Sequence, residues 1–486
     1  MAISTEGPVA TDGPKPKARV GLWLVMVGLV VMLGGLLFGY DQGVIGGALE
    51  GIQSDFHLSN FMTEVVTSWV TLGAMVGALM AGALADRVGR RFTLMLAAVL
   101  FMIGAAIEAL APGQWVLVAG RLIVGFGVGV ASLAAPLYAA EQAPSRLRGR
   151  FVSTYQLSIT IGIFIAYLVD QALTNEDHWR LMLGISAVPA LLLVIVILPM
   201  PDTPRWLMKV GRRKDASVAL TKVRPDVDTE AELDEIARLA AAEGEAASWG
   251  EVFTKRLRKP LMVGFGLAIF QQLTGINAII YYSDKIFAAA GFSTPADQAS
   301  ASTWAIGAVN VLATFIAVAY VDRFGRRPLL LCGLVGMGTS LATVGICFHY
   351  MDNVDTTNAA TTGTGPTDAG VITLVALVVF VISFAFSLGP VTWTVISEIF
   401  PTRVRGRAMA VATAVNWFSA WVVSQFFLSL IDAIGTSATF YLFAAVAVIA
   451  YVWVWRKVPE TKGRSLEQIQ LLWDHDDSVA AAEQAI

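Results

Sequence analysis

Two charged residues of opposite sign stand inside long apolar runs, Asp41 in LLFGYDQGVIGG and Arg121 in VLVAGRLIVGFG. An ionisable side chain at membrane depth is costly, so its presence points to a functional site. A carboxylate facing a guanidinium there can take up and release a proton, because protonation cancels the charge that holds the pair together. A static tie between two helices would use the same residue types. A second feature lies in FQQLTGINAIIYYS, where Gln271, Gln272, Asn277 and Tyr281 bring uncharged donors and acceptors into one apolar run. Hydroxyl-rich small molecules need such groups, together with an aromatic face for their C–H surfaces. A lone buried amide often only bridges helices, but these four are clustered.

The elements that must hold these groups are membrane helices. Of the 486 residues, 56% are hydrophobic and 15% charged, against about 25% charged in a soluble domain. The apolar residues fall in runs of about 20, the length that crosses a bilayer as a helix. Twelve spans are expected, beginning near residues 20, 63, 92, 115, 150, 180, 260, 302, 328, 371, 407 and 437. No short alternating pattern suggests a β-barrel. The expected class is therefore an all-α membrane protein with the lipid bilayer as its surroundings. Residues 1–19 are polar, lack the pattern of a cleavable signal and read as a tail.

Several function classes fall away. A net charge of −3 does not suit a nucleic-acid binder. Four scattered histidines make no metal cluster, and Cys332 and Cys347 say little about redox compartment. Gly125, Gly127 and Gly129 superficially suggest a nucleotide loop, yet they lie in an apolar span with no strand before it, where close helix packing is expected. No G-x-x-x-x-G-K-[ST] occurs, so ATP is not the expected energy source. No nucleophile–base spacing suggests an enzyme, and no cofactor is expected.

Basic residues set the orientation. With the N-terminus cytoplasmic, the outward loops hold only Arg180 and Lys285, and Arg121 sits within a span; all other Lys and Arg of the 34 fall in tails and inward loops. Both termini are thus expected in the cytoplasm of a multi-pass cell-membrane protein. Asp41 on span one and Arg121 on span four then share the outer half of the bilayer, at matching depth. The inward loop 201–259 contains DTEAELDEIARLAAAEGEAASWGEVF, which reads as short amphipathic helices. Residues 353–370 read as a flexible outward loop.

The two halves repeat. DRVGRR (Asp86–Arg91) recurs as DRFGRR (Asp322–Arg327), E-x-x-P-x-R-x-R-G-R recurs from Glu141 and from Glu398, and P-D-T at Pro201 is matched by P-E-T at Pro459. This predicts a bundle over 20–200, the helical loop 201–259, a second bundle over 260–458 and a tail from 459 to 486. Asp86, Arg90, Arg91, Glu141 and Arg148, with Asp322, Arg326, Arg327, Glu398 and Arg405, sit at helix ends on the inward side. They are expected to form a cytoplasmic network latching the outward-open state, although topogenic charge alone would explain the arginines.

FGYDQGVIGG, GALADRVGRR, GRLIVGFGVGVASLAAPLYAAEQAPSRLRGR, PDTPRWL, QQLTGINAIIYYS, VDRFGRRP, GPVTWTVISEIFPTRVRGRA and PETKGRSLEQ occur in order. With these eight stretches the chain resembles the sugar porters of the major facilitator superfamily. PDTPRWL shows Asp-Thr where many relatives show Glu-Ser, which keeps an acid beside a hydroxyl. The resemblance implies twelve transmembrane helices in two pseudo-symmetric six-helix bundles. It also implies a monomeric monosaccharide carrier, for a hexose such as glucose or a pentose such as xylose, that binds sugar and proton outside and releases both inside. In proton-coupled relatives the acid of FGYD pairs with the arginine of the GR in span four, whereas glucose facilitators carry an amide in place of the acid. By the same resemblance Gln156, Asn310, Asn416, Phe38, Phe384, Gly389 and Trp393 join the span-seven residues in the sugar cavity, and the Gly389–Pro390 step is a place for span ten to bend. A facilitative uniporter and a polyol (inositol)–proton symporter would use the same fold. A sugar receptor would usually carry a longer tail.

Overall fold

A computed structural model describes residues 21–173, 178–225, 228–243, 248–353 and 367–463. Twelve helices in it are long and apolar enough to cross a membrane. Spans one to six are Leu22–Phe56, Asn60–Val88, Arg90–Ala109, Gln114–Gln142, Ser153–Leu173 and Trp179–Ile197. Spans seven to twelve are Lys255–Tyr281, Pro295–Tyr320, Arg326–Asp352, Asp368–Ile399, Arg403–Ile434 and Thr436–Lys457. The described residues contain no strand, as expected where backbone groups must be satisfied within each segment.

Most spans begin within a few residues of expectation. Span eight begins earlier, at Pro295, because its first turn is polar: Thr294 caps it by accepting from the Asp297 amide, and Pro295 sits at the first helical position. It then passes through a π-helical stretch, Ser302–Ala308. Spans seven and ten are broken. Span seven bends at Thr274–Gly275 and again at Tyr282. Span ten bends at Ser387, two residues before the expected Gly389–Pro390 step. Pro390 supplies no amide to the turn that precedes it, so the helix opens upstream of the ring.

The packing repeats in the two halves. Span one packs on five, two on four, and three on both four and six; span seven packs on eleven, eight on ten, and nine on both ten and twelve. This is the pseudo-symmetry that the repeated motifs predict. The halves meet through spans two and eleven, five and eight, and one and seven. The glycines of span four are packing devices. A Cβ on Gly125 would lie 1.9 Å from the Val70 carbonyl oxygen, and one on Gly129 2.1 Å from that of Ala74. Close approach of this kind drives helix association where lipid offers no hydrophobic gain.

Between the halves lie Pro204–Lys209, Arg213–Val223, Thr229–Glu243 and Trp249–Val252. The last two fall within the stretch expected to be helical; the first two add to it. The first two dock on the first half, and the third packs on them. Trp206 Nε1 donates to the Asp86 carbonyl (3.0 Å), and Arg224 donates to the carbonyls of Gln142 (2.9 Å) and Glu141 (3.0 Å) at the end of span four. The fourth docks on the second half, through Glu251–Arg403 (3.1 Å) and Trp249 under Arg407. These helices mark one end of the bundle, here the loop-helix end. The tail 1–19, most of the loop expected over 353–370 and residues beyond 463 lie outside the described residues.

Candidate functional site

Asp41 and Arg121 meet. Arg121 Nη1 donates to Asp41 Oδ1 at 2.6 Å, and the two side chains are 0% and 5% exposed for Arg121 and Asp41. Arg121 Nε donates to the Val66 carbonyl on span two (3.3 Å), so the guanidinium is held by spans one, two and four. Tyr40 fixes the adjacent turn of span one by donating to the Met182 carbonyl on span six (3.0 Å). Taking two charges out of water is expensive, and losing one partner leaves an uncompensated buried charge. The pair is thus sensitive to any proton that reaches it.

Three of the amides expected in the cavity, Gln271, Gln272 and Asn416, form a connected set. Asn416 on span eleven donates to Gln271 Oε1 (2.6 Å) and to the Ala268 carbonyl (3.0 Å). Gln272 Nε2 donates to Asn416 Oδ1 (3.1 Å). Gln271 Nε2 donates to the carbonyls of Leu388 (2.7 Å) and Gly389 (3.3 Å), just past the break in span ten. Gln271 is thereby occupied by protein. Gln272 Oε1 is buried with no hydrogen-bond partner among the described residues, and a buried polar atom in that condition calls for an explanation. A ligand hydroxyl would supply its partner.

Asn277 joins a second group, accepting from Gln42 Nε2 on span one (3.2 Å), with Tyr281 buried beside Gln42, Asp41 and Arg121. Both amide groups therefore include residues of span seven, and the second lies beside the Asp41–Arg121 pair. Phe38 packs against Trp417 across the two halves, ring centroids 5.1 Å apart. Phe384 lies against Gly389, where a Cβ would come within 3.3 Å of its ring. Trp393 is half-buried against the core, and Gln156 is half-buried on span five. Asn310 accepts from Thr314 on its own helix (3.5 Å), which does not link it to the other amides.

At the end away from the loop helices, polar contacts tie the halves together. Glu64 on span two accepts from the Ser429 amide (2.7 Å) and hydroxyl (2.6 Å) on span eleven. Gln425 accepts from Ser68 (2.8 Å) and from Trp69 Nε1 (3.2 Å). Lys285 donates to Gln53 (2.7 Å). Sequence reasoning passed over Gln42, Glu64 and Gln425. The first stands beside Asp41 in the motif itself, a polar residue in an apolar run. Gln425 is likewise a polar residue in an apolar run, WVVSQFFLSL, whereas Glu64 lies near the start of its span.

The motif arginines pair at the helix ends of each half. Arg90 pairs with Glu141 (3.0 Å) and Asp86 (3.2 Å), and Arg326 pairs with Glu398 (3.1 Å). Arg91 donates to the Ile197 and Leu198 carbonyls ending span six, and Arg327 to the Trp455 carbonyl near the end of span twelve. Arg405 donates to the Phe400 carbonyl (3.1 Å). Each of these pairs lies inside its own half, because the repeat brings its own acids and helix ends within reach of its own arginines. The side chains of Arg148 and Asp322 lie outside the described residues.

The P-D-T and P-E-T acids complete each cluster. Asp202 accepts from the Arg90 and Thr203 amides (3.0 and 2.8 Å), and Glu460 accepts from the Arg326 and Arg327 amides (3.0 and 3.1 Å). Each carboxylate therefore sits on the N-terminus of a span, where amides and the helix dipole favour negative charge. Burial pushes the Asp202 carboxyl above its ordinary value despite those amides. Glu460 is also pushed up by burial, but the Lys462, Arg326, Arg327 and Thr461 amides outweigh that and hold it below the ordinary value.

Residues 27–473 match the family model described as "Sugar (and other) transporter". The chain is 40% identical to the glucose transporter GlcP of Staphylococcus epidermidis, over 90% of this chain and 94% of that one. It is 39% identical to the galactose-proton symporter of Escherichia coli K12, over 90% and 92%. The fold is similar to that of the E. coli xylose transporter XylE in a partially occluded inward open conformation. The TM-score is 0.78 with 30% identity, over 92% of this chain and 100% of that one.

Proposed function

Because this chain belongs to the sugar transporter family, matched over residues 27–473, we propose that it is a proton-coupled monosaccharide symporter working by alternating access. The substrate class is a hexose such as glucose or a pentose such as xylose. The observation that carries the coupling is the buried Asp41–Arg121 pair, whose chain neighbour Gln42 donates to Asn277 on the span that also carries Gln271 and Gln272. Gln272, Asn416, Asn277 and Tyr281 supply the polar surface for sugar hydroxyls, and Phe38, Phe384 and Trp393 the apolar one. Gln271 instead holds the break of span ten in place, so that movement of that break and occupation of the site are linked.

The loop-helix end faces the cytoplasm in this reading, with both termini, in a monomer embedded in the cell membrane. The basic clusters at that end fit the positive-inside rule. The Glu64–Ser429 and Gln425 contacts then form the outer seal, and the two halves rock about the central site to open one side or the other. The motif clusters brace the helix ends of each half during that movement. The units are the bundles over 20–200 and 260–458, the loop 201–259 and the tails.

The test is uptake of labelled sugar into vesicles that hold an inward proton gradient. Accumulation above the external concentration that collapses with a protonophore is expected. Equal uptake with and without the protonophore would make the chain a facilitative uniporter.

A further inference from the structure

Arg121 has a second carboxylate. Glu108, on span three, is 1% exposed, and its Oε1 lies 3.7 Å from the same Nη1 that bonds Asp41. That separation is too long for a hydrogen bond, and Glu108 Oε1 has no hydrogen-bond partner among the described residues; neither does Arg121 Nη2. The fold makes room for this acid. Gly120, next to Arg121, leaves the space that the Glu108 stem fills, since a Cβ there would lie 2.7 Å from Glu108 Cγ. Two acids and one guanidinium thus share a water-excluded site.

Building on the symport reading above, we propose that Glu108 is a second coupling residue, exchanging one proton with Asp41 across Arg121. Two carboxylates beside a single cation leave an unbalanced negative charge, which a low-dielectric site does not tolerate. One of them therefore carries a proton. In the geometry seen here Asp41 is the carboxylate and Glu108 the carboxylic acid. When the proton passes from the Glu108 carboxyl to the Asp41 carboxylate, Asp41 becomes neutral and Glu108 becomes the carboxylate that Arg121 closes onto. The transfer itself conserves the site's charge and leaves the guanidinium paired; the proton carried in symport is this one, taken up from outside at Glu108 and released inside from Asp41 once water reaches the pair. Protonation of Asp41 can then release span one without stranding a buried cation.

Few other charged or titratable groups face Glu108. Arg121 comes from span four and Asp41 from span one. Tyr281 on span seven faces Arg121 and Asp41. Span six brings Arg180, which donates to the Ala111 carbonyl but is 43% exposed at its side chain. Span two brings the Val66 carbonyl to Arg121, while its own acid, Glu64, is bound to Ser429.

The experiment is the pH dependence of sugar uptake in proteoliposomes for the wild type, Glu108→Gln and Glu108→Asp. Without the second carboxyl, protonating Asp41 strands Arg121, so the pH of half-maximal uptake should move at least about one unit to the acid side, a tenfold change in proton affinity. Glu108→Asp should restore the profile toward the wild type. A Glu108→Gln midpoint equal to the wild type, with only the maximal rate lowered, would make Glu108 merely structural and overturn the proposal. Should Glu108→Gln fail to fold, infrared difference spectra of wild type against Asp41→Asn carry the test. Removing Asp41 should ionise Glu108, so a protonated-carboxyl band present in the wild type is expected to vanish; its persistence overturns the proposal. A wild type with no proton-driven uptake defeats the symport reading itself, whereas accumulation with an unmoved Glu108→Gln midpoint defeats only the role of Glu108.

Discussion

Gln272 on span seven donates to Asn416 on span eleven at 3.1 Å, while its own carbonyl oxygen is buried without a hydrogen-bond partner among the described residues. One end of the side chain is fixed by protein, and in the proposed reading the other receives a sugar hydroxyl. Gln272→Ala should therefore weaken sugar binding by about 1–3 kcal/mol, the range for a lost buried hydrogen-bond partner, with membrane abundance near normal. Calorimetric titration checks this, and unchanged affinity would remove the residue from the site.

Gln271 behaves differently because its amide already serves Leu388 and Gly389, and its carbonyl serves Asn416. Gln271→Ala leaves those groups unsatisfied in the protein itself. The purified protein should lose about 1–3 kcal/mol of stability, seen as a lower thermal midpoint in detergent without any sugar present. A midpoint matching the wild type would mean that water or a shifted span ten replaces the amide.

Much of this was legible in the sequence for a physical reason: in a bilayer every polar residue in an apolar run stands out. Asp41, Arg121 and the amides of span seven were visible on that ground, and the spans followed from length alone. The partners of those residues were not. That Gln271 turns to the backbone of span ten depends on breaks at Ser387 and Gly275. That Glu108 reaches Arg121 depends on how closely spans three and four approach. Along the chain Glu108 lies near the end of span three, with nothing in the sequence to show its partner. The motif arginines showed their helix ends but not their partners, since sequence cannot say whether an acid in the same half or the other half is nearer.

Glu460 gives a prediction about acid stability. Against the push of burial, its carboxyl is held below the ordinary value of 4.5 by the Lys462 amide and by the Arg326 and Arg327 amides at the start of span nine. A depressed carboxylate contributes stability that is present above that value and lost as pH falls through the folded-state value. Glu460→Gln should thus melt at lower temperature than the wild type at neutral pH, and the difference should shrink as pH falls below 4.5. Thermal melts of the detergent-solubilised protein across that window test it. A difference independent of pH would show that the amide contacts do not depend on the charge.

Asp41→Asn tests the coupling most directly. The amide keeps the size of the side chain and can still accept from Arg121, but it cannot carry a proton. In proteoliposomes, exchange of labelled for unlabelled sugar needs only the loaded carrier to reorient, whereas net symport needs the proton to leave on the inside. The measurement is both fluxes in one preparation under an inward proton gradient. Exchange should persist while uphill accumulation is lost. An Asn variant that still concentrates sugar against its gradient would contradict the assignment of Asp41 as the coupling acid.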